Sequence, residues 1–492
     1  MNQDGDSLLS NGRLNFISSN QLDTIETHPS ENTEVPNNLV YSHPKVFRQL
    51  FAGFSATLSA LSAGLVLGWT SPMLSFLTSG KYNNIPIDND KMGWIGSFAT
   101  LGAMAMCFPA GFICDLVGRK NALLLLILPY SVGWALIIWA STIVELYFGR
   151  LITGMAVGGC CVAAPLYNGE IAHIDIRGKL GSFFQLMICV GIFMAYLFGK
   201  FLSPYQFTIF CAVSPLVFFI CFVFQPESPC YLIKKNKYEE AKESLLRLRG
   251  KNCNVEQELI QIEGSLKESS HTTISLRAIF SNKSIKIGIL ISFALMFFQQ
   301  LSGINAIILY SSNMFKSAGI YLDVNVASIM VGGFQVVATF IASLVIEKLG
   351  RKYLLFVSLS IVTLSTMILA IYLAVKSHLD KSELREISFI PIGSLCLFVI
   401  SFSLGLGPIP WMLSSEIIPN EIRSIVTSAA GTFNWFLAFI ITKLYLLVAG
   451  QSSVFFAFTI FSLLGTIFVY LVVPETKGKT LAQIQEALSD IV

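Results

Sequence analysis

Charged residues are scarce in this sequence of 492 residues. They make up 13% of the chain, whereas hydrophobic residues make up 54% and the mean hydropathy is +0.66. A water-soluble domain could not bury so much apolar surface. The formal net charge of +3 is too small to indicate nucleic acid as a partner. The composition therefore predicts a chain that lies mostly in lipid.

Signatures of several other protein classes are missing. The first 45 residues are polar and lack an apolar run after a basic start, so no cleavable signal peptide is expected. The ten cysteines fall in apolar segments or in stretches expected on the cytoplasmic side, which argues against a disulfide framework. No nucleotide-binding loop, nucleophile and base pair, or metal-ligand cluster occurs. We therefore expect no cofactor, no metal and no enzymatic activity.

Twelve apolar segments are long enough to cross a bilayer, which takes roughly 20 helical residues. They lie near 49–72, 92–114, 121–141, 146–166, 180–200, 205–224, 284–309, 325–346, 353–374, 388–412, 426–448 and 453–473. The sequence thus predicts an all-α membrane protein of twelve transmembrane helices. Its parts are a disordered tail over 1–45, a six-helix bundle over 46–224, a helical linker over 225–283, a second six-helix bundle over 284–473 and a tail over 474–492.

The distribution of Lys and Arg predicts the orientation of these helices. Twelve spans place both termini on the same side of the membrane. With the even-numbered loops on the inside, most of the 33 basic residues fall in the termini, the linker and the inner loops. Because such residues stay on the cytoplasmic side, both termini and the linker are expected in the cytoplasm.

Three motifs recur in the two halves of the chain. The pairs are Gly118-Arg119-Lys120 with Gly350-Arg351-Lys352, Glu170 and Arg177 with Glu416 and Arg423, and Pro226-Glu227-Ser228 with Pro474-Glu475-Thr476. They occur in the same order and at the same place relative to the predicted spans. The halves are therefore predicted to be parallel repeats, which is the architecture of major facilitator transporters.

Further motifs make a family resemblance specific. They are Gly111-x-x-x-Asp115-x-x-Gly118-Arg119-Lys120, Arg150-x-x-x-Gly154-x-x-x-Gly158, Pro165-x-Tyr167-x-x-Glu170, Gln299-Gln300-Leu301-Ser302-Gly303-Ile304-Asn305, Gly407-Pro408-Ile409-Pro410-Trp411 and Asn434-Trp435. With them, residues 45 to 485 resemble the sugar porters of the major facilitator superfamily. Facilitative glucose transporters and, more closely, insect facilitated trehalose transporters are similar. The resemblance implies that a neutral sugar crosses the bilayer by alternating access.

Amide side chains are the candidate sugar ligands. A sugar hydroxyl must exchange water for protein hydrogen bonds, and an amide offers donors and acceptors without a charge to desolvate. Gln299, Gln300 and Asn305 lie in the seventh span, where Gly303 could loosen the turn enough for both glutamines to reach one site. Hydrogen bonding between helices is the alternative role. The resemblance adds three further ligands: Gln185, Asn434 and Gln335, the last standing where relatives usually carry Asn.

Trp411 follows a run of glycines and prolines that cannot stay a regular helix. Such a break is tolerated where the bent backbone faces protein or a water-filled cavity. The expected role of Trp411 is an aromatic platform for the apolar face of a sugar ring, on a segment that bends to gate the site. A membrane-interface anchor is the alternative.

Charged residues at the predicted inner helix ends form a second set. They are Asp115, Arg119, Lys120, Glu170, Arg177, Glu347, Arg351, Lys352, Glu416, Arg423 and Glu475. The resemblance implies ion pairs that hold the two bundles together in the outward-open state and separate when the site opens inward. Leu116 replaces a basic residue often found after the aspartate, which predicts a looser latch in the first half. Topology signals alone are the simpler interpretation.

No acidic residue lies in the middle of a predicted span. Proton-coupled relatives carry an aspartate in the first span, where this chain has Thr70, while its expected partner Arg150 remains. Because threonine cannot carry a proton, uniport is favoured over proton-coupled symport. A sugar sensor that binds without transporting is a further alternative, although the predicted tail over 474–492 is short for signalling.

Substrate and membrane address depend on small sequence features. Leu295-Met296-Phe297-Phe298, Phe433 and Thr442-Lys443 resemble the trehalose carriers and favour trehalose over glucose or another hexose; Lys443 could also snorkel or pair with a carbonyl. Asp4-Gly5-Asp6-Ser7-Leu8-Leu9 resembles an acidic dileucine signal for a sorting adaptor. A pair of leucines after an acidic residue is frequent in disordered tails, so the plasma membrane stays the expected address. An endosomal or lysosomal membrane is the alternative.

Overall fold

The structure is a computed structural model that describes residues 46–79, 82, 85–173, 176–250, 253–271, 282–479 and 481–489. In these ranges the chain is helical and contains no strand, and twelve helical segments are long and apolar enough to cross a membrane. The predicted all-α class with twelve spans is thus confirmed. The tail over 1–45, with Leu8 and Leu9, lies outside the described residues.

The first half contains six spans built from eight helices. They are α1 (Val46–Gly68), α2 (Thr70–Thr78), α3 (Asn89–Val117), α4 (Arg119–Leu125), α5 (Ile127–Ile138), α6 (Ile143–Ile171), α7 (Arg177–Phe201) and α8 (Pro204–Phe222). The first span is α1 with α2, broken at Trp69, and the third is α4 with α5. The described part of the linker contains three helices: α9 (Pro229–Lys234), α10 (Tyr238–Arg249) and α11 (Glu256–His271).

The second half repeats this order. Its helices are α12 (Lys283–Leu301), α13 (Ile304–Ala318), α14 (Val324–Leu349), α15 (Arg351–Val375), α16 (Lys381–Glu386), α17 (Ile390–Ser401), α18 (Ile409–Glu416), α19 (Asn420–Tyr445) and α20 (Ser452–Val472), followed by α21 (Leu481–Ser489). The seventh span is α12 with α13, and the tenth contains α16 to α18. A wider helical turn at Phe402–Leu406 separates α17 from α18.

The matched motifs occupy equivalent places at one end of the helices, here called the linker end. Arg119 Nε lies 2.9 Å from a Glu170 oxygen, and Arg351 forms the same pair with Glu416 at 3.1 Å. Backbone N–H groups at the starts of α4 and α15 donate to the carboxylates of the two Pro-Glu motifs. Lys120 N donates to Glu227 at 2.9 Å, as Lys352 N does to Glu475 at 3.1 Å. The repeats predicted from sequence therefore adopt the same local structure.

Two seams join the halves. In one, α3 packs along α19; in the other, α7 packs along α14. Helices α2 and α13 also meet, at the opposite end from the linker, here called the far end. There Ser71 Oγ lies 2.8 Å from Ser311 Oγ and 2.9 Å from Ser312 Oγ, whereas Tyr310 donates within the second half, to the Thr442 carbonyl at 3.2 Å. The far end is thus closed by direct bonds between the halves.

Close contact between α3 and α6 depends on glycine. A Cβ atom at Gly154 would lie 2.0 Å from the Ala99 carbonyl oxygen, and one at Gly158 would lie 2.2 Å from the Ala103 oxygen. Both glycines belong to the motif that begins at Arg150. Their spacing of four residues lets the two backbones approach, as small residues do in other membrane helices.

The Gly154→Ala substitution should therefore destabilise the protein although alanine favours helix. Because the obstacle is backbone, relief requires separation of α3 and α6, and we expect a loss of about 1–3 kcal/mol. Thermal unfolding of the purified protein in detergent measures it. Gly169→Ala on the same helix is the matched control, since its Cβ would meet no atom within 4 Å. Equal melting temperatures for the two variants would contradict this packing.

Glu475 generates a prediction about pH. Partial burial raises the pKa of its carboxyl, but backbone N–H groups of Lys477, Arg351, Lys352 and Thr476 donate to it and leave the pKa below its ordinary value of 4.5. A lowered pKa means that the carboxylate stabilises the fold above the ordinary pKa. This stabilisation is lost as the pH falls through the folded-state pKa.

Glu475→Gln should accordingly lower the melting temperature at neutral pH, because a charge-assisted bond to backbone N–H groups is weakened. The difference from the parent should shrink as the pH falls below 4.5. Thermal unfolding across this pH range measures both quantities. Glu486→Gln, at an exposed position of α21, serves as the control. A difference that persists unchanged at acidic pH would rule out the carboxylate as its cause.

Candidate functional site

Four of the predicted amides meet in one buried hydrogen-bond network. Gln300 Nε2 donates to Asn434 Oδ1 at 2.8 Å, and Asn305 Nδ2 donates to Gln300 Oε1 at 2.7 Å. Asn434 Nδ2 in turn donates to Gln299 Oε1 at 2.8 Å. All four side chains are buried. The network joins the seventh span to the eleventh and contains no charged group.

A break in the seventh span lies between the two glutamines and Asn305. Gly303 adopts a left-handed conformation with φ of 91°, which ends α12 and starts α13 in a new direction. Only glycine adopts this conformation without a steric cost. Since adjacent helical positions point about 100° apart, Gln299 and Gln300 reach the same asparagine from different sides. The loosening that the sequence suggested at Gly303 is therefore present.

The bend in the tenth span supplies partners for Gln299. Its Nε2 donates to the carbonyls of Leu406 at 2.8 Å and Gly407 at 2.9 Å, where the backbone leaves regular helix geometry. Carbonyls freed by a helix break need donors inside a membrane. The bend that the glycines and prolines predicted is thus tied to the amide network. Movement of this segment would alter the bonds of Gln299 directly.

Trp411 lies on α18, just beyond this bend, and is half-buried. Its ring lies beside Gly431 of α19, where a Cβ atom would come within 3.2 Å of the ring carbon Cζ3. Gly431 precedes Asn434 by three residues, so both occupy neighbouring positions on one helix face. The ring is therefore placed next to the helix face that carries a site amide. Its role as a sugar platform stays a prediction.

Gln185 and Gln335 lie in the seam between α7 and α14. Gln185 Nε2 is 3.6 Å from Cys189 Sγ, which is 3.3 Å from Thr339 Oγ1 on the partner helix. Gln335 is buried one turn before Thr339, whose hydroxyl donates to the Gln335 carbonyl at 2.8 Å. The two glutamines therefore belong to a polar path between the halves that is separate from the four-amide network. Their role as ligands is not tested by these contacts.

Arg150 is fully buried within the first half. Its guanidinium donates to the carbonyls of Val66 at 2.8 Å and Ile95 at 3.2 Å, and to Thr70 Oγ1 at 3.0 Å. It also lies over the Trp69 ring, 5.3 Å from the centroid. Thr70, which stands where proton-coupled relatives carry an aspartate, thus contacts Arg150. A neutral hydroxyl takes the position of the carboxylate.

The predicted gating residues have partners within their own halves. Arg119 pairs with Asp115 at 3.0 Å and with Glu170, and Arg351 pairs with Glu416. Arg423 donates to the Ile418 carbonyl at 3.2 Å. Lys120, Lys352 and Glu475 take part through the backbone bonds described above. The side chains of Arg177 and Glu347 lie outside the described part of the structure. Pairing across the halves at the linker end stays a prediction.

Sequence reasoning missed a buried serine cluster at the far end. Besides its bonds to Ser71, Ser311 lies 3.2 Å from Ser328 of α14, and Ser312 lies 3.4 Å from it. Tyr196 of α7 also donates across the halves, to the Ile308 carbonyl at 2.6 Å. The available signal was the run Tyr310-Ser311-Ser312, since three hydroxyl side chains in succession are unusual in an apolar span. Its partners lie on three other helices and could not be read from spacing.

Comparison with known proteins places this arrangement in a family. A family profile described as "Sugar (and other) transporter" matches residues 50–488. The facilitated trehalose transporter Tret1 of Bombyx mori is 33% identical over 484 residues, which is 96% of this chain and 94% of that protein. The Bos taurus solute carrier family 2, facilitated glucose transporter member 8, is 35% identical and covers 90% of this chain and 95% of its own length.

A solved structure has the same fold. The proton:xylose symporter XylE, bound to 6-bromo-6-deoxy-D-glucose, superposes with a TM-score of 0.75 at 24% identity, covering 90% of this chain and 99% of that one. This superposition confirms two-bundle major facilitator architecture. The matching relatives are transporters rather than enzymes. The chain therefore belongs to the sugar transporter family of the major facilitator superfamily.

Proposed function

We propose that this chain is a uniporter that carries trehalose down its concentration gradient by alternating access. The observation that carries the proposal is the uncharged, buried network of Gln299, Gln300, Asn305 and Asn434. An incoming sugar hydroxyl can replace each bond between two amides with a bond to the ligand. Such an exchange changes the free energy little and is readily reversed. Reversibility is what a facilitator requires.

Uniport is supported by the surroundings of Arg150. Its partners in the first span are the Thr70 hydroxyl and a backbone carbonyl, which do not exchange a proton at physiological pH. Acidic residues in the spans of this chain lie near helix ends. Proton-coupled symport is the second candidate, because XylE is described as a proton symporter and shares the fold. Binding without transport, as in a sensor, is the third.

Trehalose is favoured over glucose by the relatives. Carriers named as facilitated trehalose transporters from several insects are 32% to 35% identical to this chain. Phe297, Phe298 and Phe433 resemble the trehalose carriers and directly precede or neighbour the network residues Gln299 and Asn434 in the sequence. Phe298 contacts Phe297, with ring centroids 5.5 Å apart. Glucose or another hexose is the alternative substrate, since the bovine relative is named as a glucose transporter.

Gating is proposed to use the charged set at the linker end. In this structure the far end is closed, and the described ion pairs at the linker end stay within one half. We infer that these groups exchange partners across the halves when the linker end closes. We also infer that the linker end faces the cytoplasm of the plasma membrane, because basic residues concentrate there. An endosomal or lysosomal membrane is the alternative.

The first test is uptake of radiolabelled trehalose and glucose in oocytes that express the chain. Gln300→Ala removes a donor and an acceptor from the network and leaves Asn434 and Asn305 with a lost partner each. We expect the uptake efficiency to fall by at least about tenfold. Gln451→Ala, an exposed amide in a loop, is the matched control. Undiminished uptake in Gln300→Ala at equal surface expression would move the site elsewhere.

The second test concerns proton coupling. Saturable uptake by the parent should not respond to an imposed pH gradient, because the group that Thr70 presents to Arg150 is a hydroxyl, which does not titrate in this range. Thr70→Asp places a carboxyl at that position, and its transport should become sensitive to pH. Thr70→Asn, which is polar but cannot titrate, is the control. Accumulation of sugar by the parent against its gradient would establish symport, while surface expression without uptake would favour a sensor or another substrate.

A further inference from the structure

Lys443 near the end of α19 forms an ion pair with the opposite half of the molecule. Its Nζ lies 2.6 Å from Asp90 Oδ1, in the first turn of α3, and 3.3 Å from the Asp90 carbonyl. The same ammonium lies 4.2 Å from the centroid of the Trp94 ring. The side chain of Lys443 is only 14% exposed, whereas that of Asp90 is 60% exposed. A charged residue inside a predicted span thus has two partners across the seam.

The helix surfaces are shaped for this contact. Asp90, Gly93 and Trp94 share one face of α3 because they are three and four residues apart. A Cβ atom at Gly93 would lie 3.4 Å from the Lys443 carbonyl oxygen and 3.7 Å from its Cδ and Nζ atoms, so the two helices are in close contact at this point. Phe439, one turn before Lys443, lies 6.3 Å from Trp94 between ring centroids. Phe439 and Lys443 of α19 therefore both contact the face of α3 that carries Asp90 and Trp94.

The second seam carries a related pair at the same end. Lys200, in the last turn of α7, lies 3.8 Å from Asp323, which caps the start of α14. This distance is longer than the 2.6 Å of the Lys443–Asp90 pair. The side chains of Lys200 and Asp323 are 28% and 54% exposed, so this lysine is more accessible to solvent than Lys443. In both seams the lysine ends an odd-numbered span and the aspartate begins an even-numbered one. The two pairs are thus related by the repeat of the halves.

We propose that these two Lys–Asp pairs are a matched far-end latch that sets how often the transporter opens on that side. Both pairs join the first half to the second, so a hinge that separates the halves at the far end must break both. The described ion pairs at the linker end do not have this property, because each lies within one half. The latch therefore favours the conformation seen here.

The solvent exposure of the two Lys–Asp pairs limits how far they can shift the equilibrium between the two conformations. A partly exposed ion pair shifts an equilibrium by at most about fivefold, and two independent pairs multiply to at most about 25-fold. The contact with Trp94 places the Lys443 pair at the stronger end of this range. Such a shift changes the population that faces the far side without locking the carrier. An equilibrium of this kind must remain reversible for transport.

Hydrogen–deuterium exchange of the purified full chain in lipid nanodiscs tests the latch without any substrate. The variants are Lys443→Met, Asp90→Asn, Lys200→Met, and the doubles Lys443→Met with Asp90→Asn and Lys443→Met with Lys200→Met. Backbone exchange is followed at the far end over 70–79 and 304–313, and at the linker end over 114–120 and 416–423. Lys242→Met is the matched control, because it breaks the Lys242–Glu256 pair, which is 2.8 Å long and lies within the linker.

We expect exchange to rise at the far end and to fall at the linker end in each latch variant, since the two openings exclude one another. Far-end exchange in Lys443→Met with Asp90→Asn should not exceed that in Lys443→Met alone, because the lysine substitution already removes the ion pair. Lys443→Met with Lys200→Met should exceed either single variant. The proposal is overturned if that last double matches the parent, if exchange rises at both ends together, or if Lys242→Met has the same effect.

Discussion

The absence of water from the bilayer core governs this structure, because each polar group there must find its partner within the protein. Gln299 shows the consequence most directly. Its amide donates to two carbonyls that the bend of the tenth span sets free, and it accepts from Asn434 of the eleventh. The Gln299 side chain thereby connects the bent tenth span, the amide network and the eleventh span. The irregular segment is stabilised because Gln299 donates to its free carbonyl groups. The Gln299 side chain is in turn held in place because the segment supplies these acceptors.

Arg150 follows from the same constraint. A buried guanidinium is tolerated here because two backbone carbonyls, a hydroxyl and an aromatic face surround it. One of these carbonyls, that of Val66, lies just before the break in the first span at Trp69. The arginine therefore holds a helix break in the first half as Gln299 holds one in the second.

The repeat of the halves gives the two ends of the molecule different chemistry. At the linker end, charged side chains and backbone N–H groups meet within each half, so neither set depends on the other half. At the far end, serines, Tyr196 and the two lysine–aspartate pairs bridge the halves. Weak, numerous contacts of this kind can be broken and remade, which a carrier that alternates between two states requires.

The sequence by itself determined the class, the twelve spans and the repeat, because lipid demands long apolar helices and the motifs recur in fixed order. It also determined the break at Gly303, since few residues other than glycine tolerate that backbone. Only the tertiary structure decided which side chains meet. Gln300 and Asn434 are 134 positions apart, and Lys443 finds Asp90 at a separation of 353. Gln185 and Gln335 were grouped with the other amides but lie in the seam between α7 and α14, whereas the four-amide network lies within the second half. Helical periodicity fixes the face on which a residue lies, whereas its partner depends on how the two halves pack.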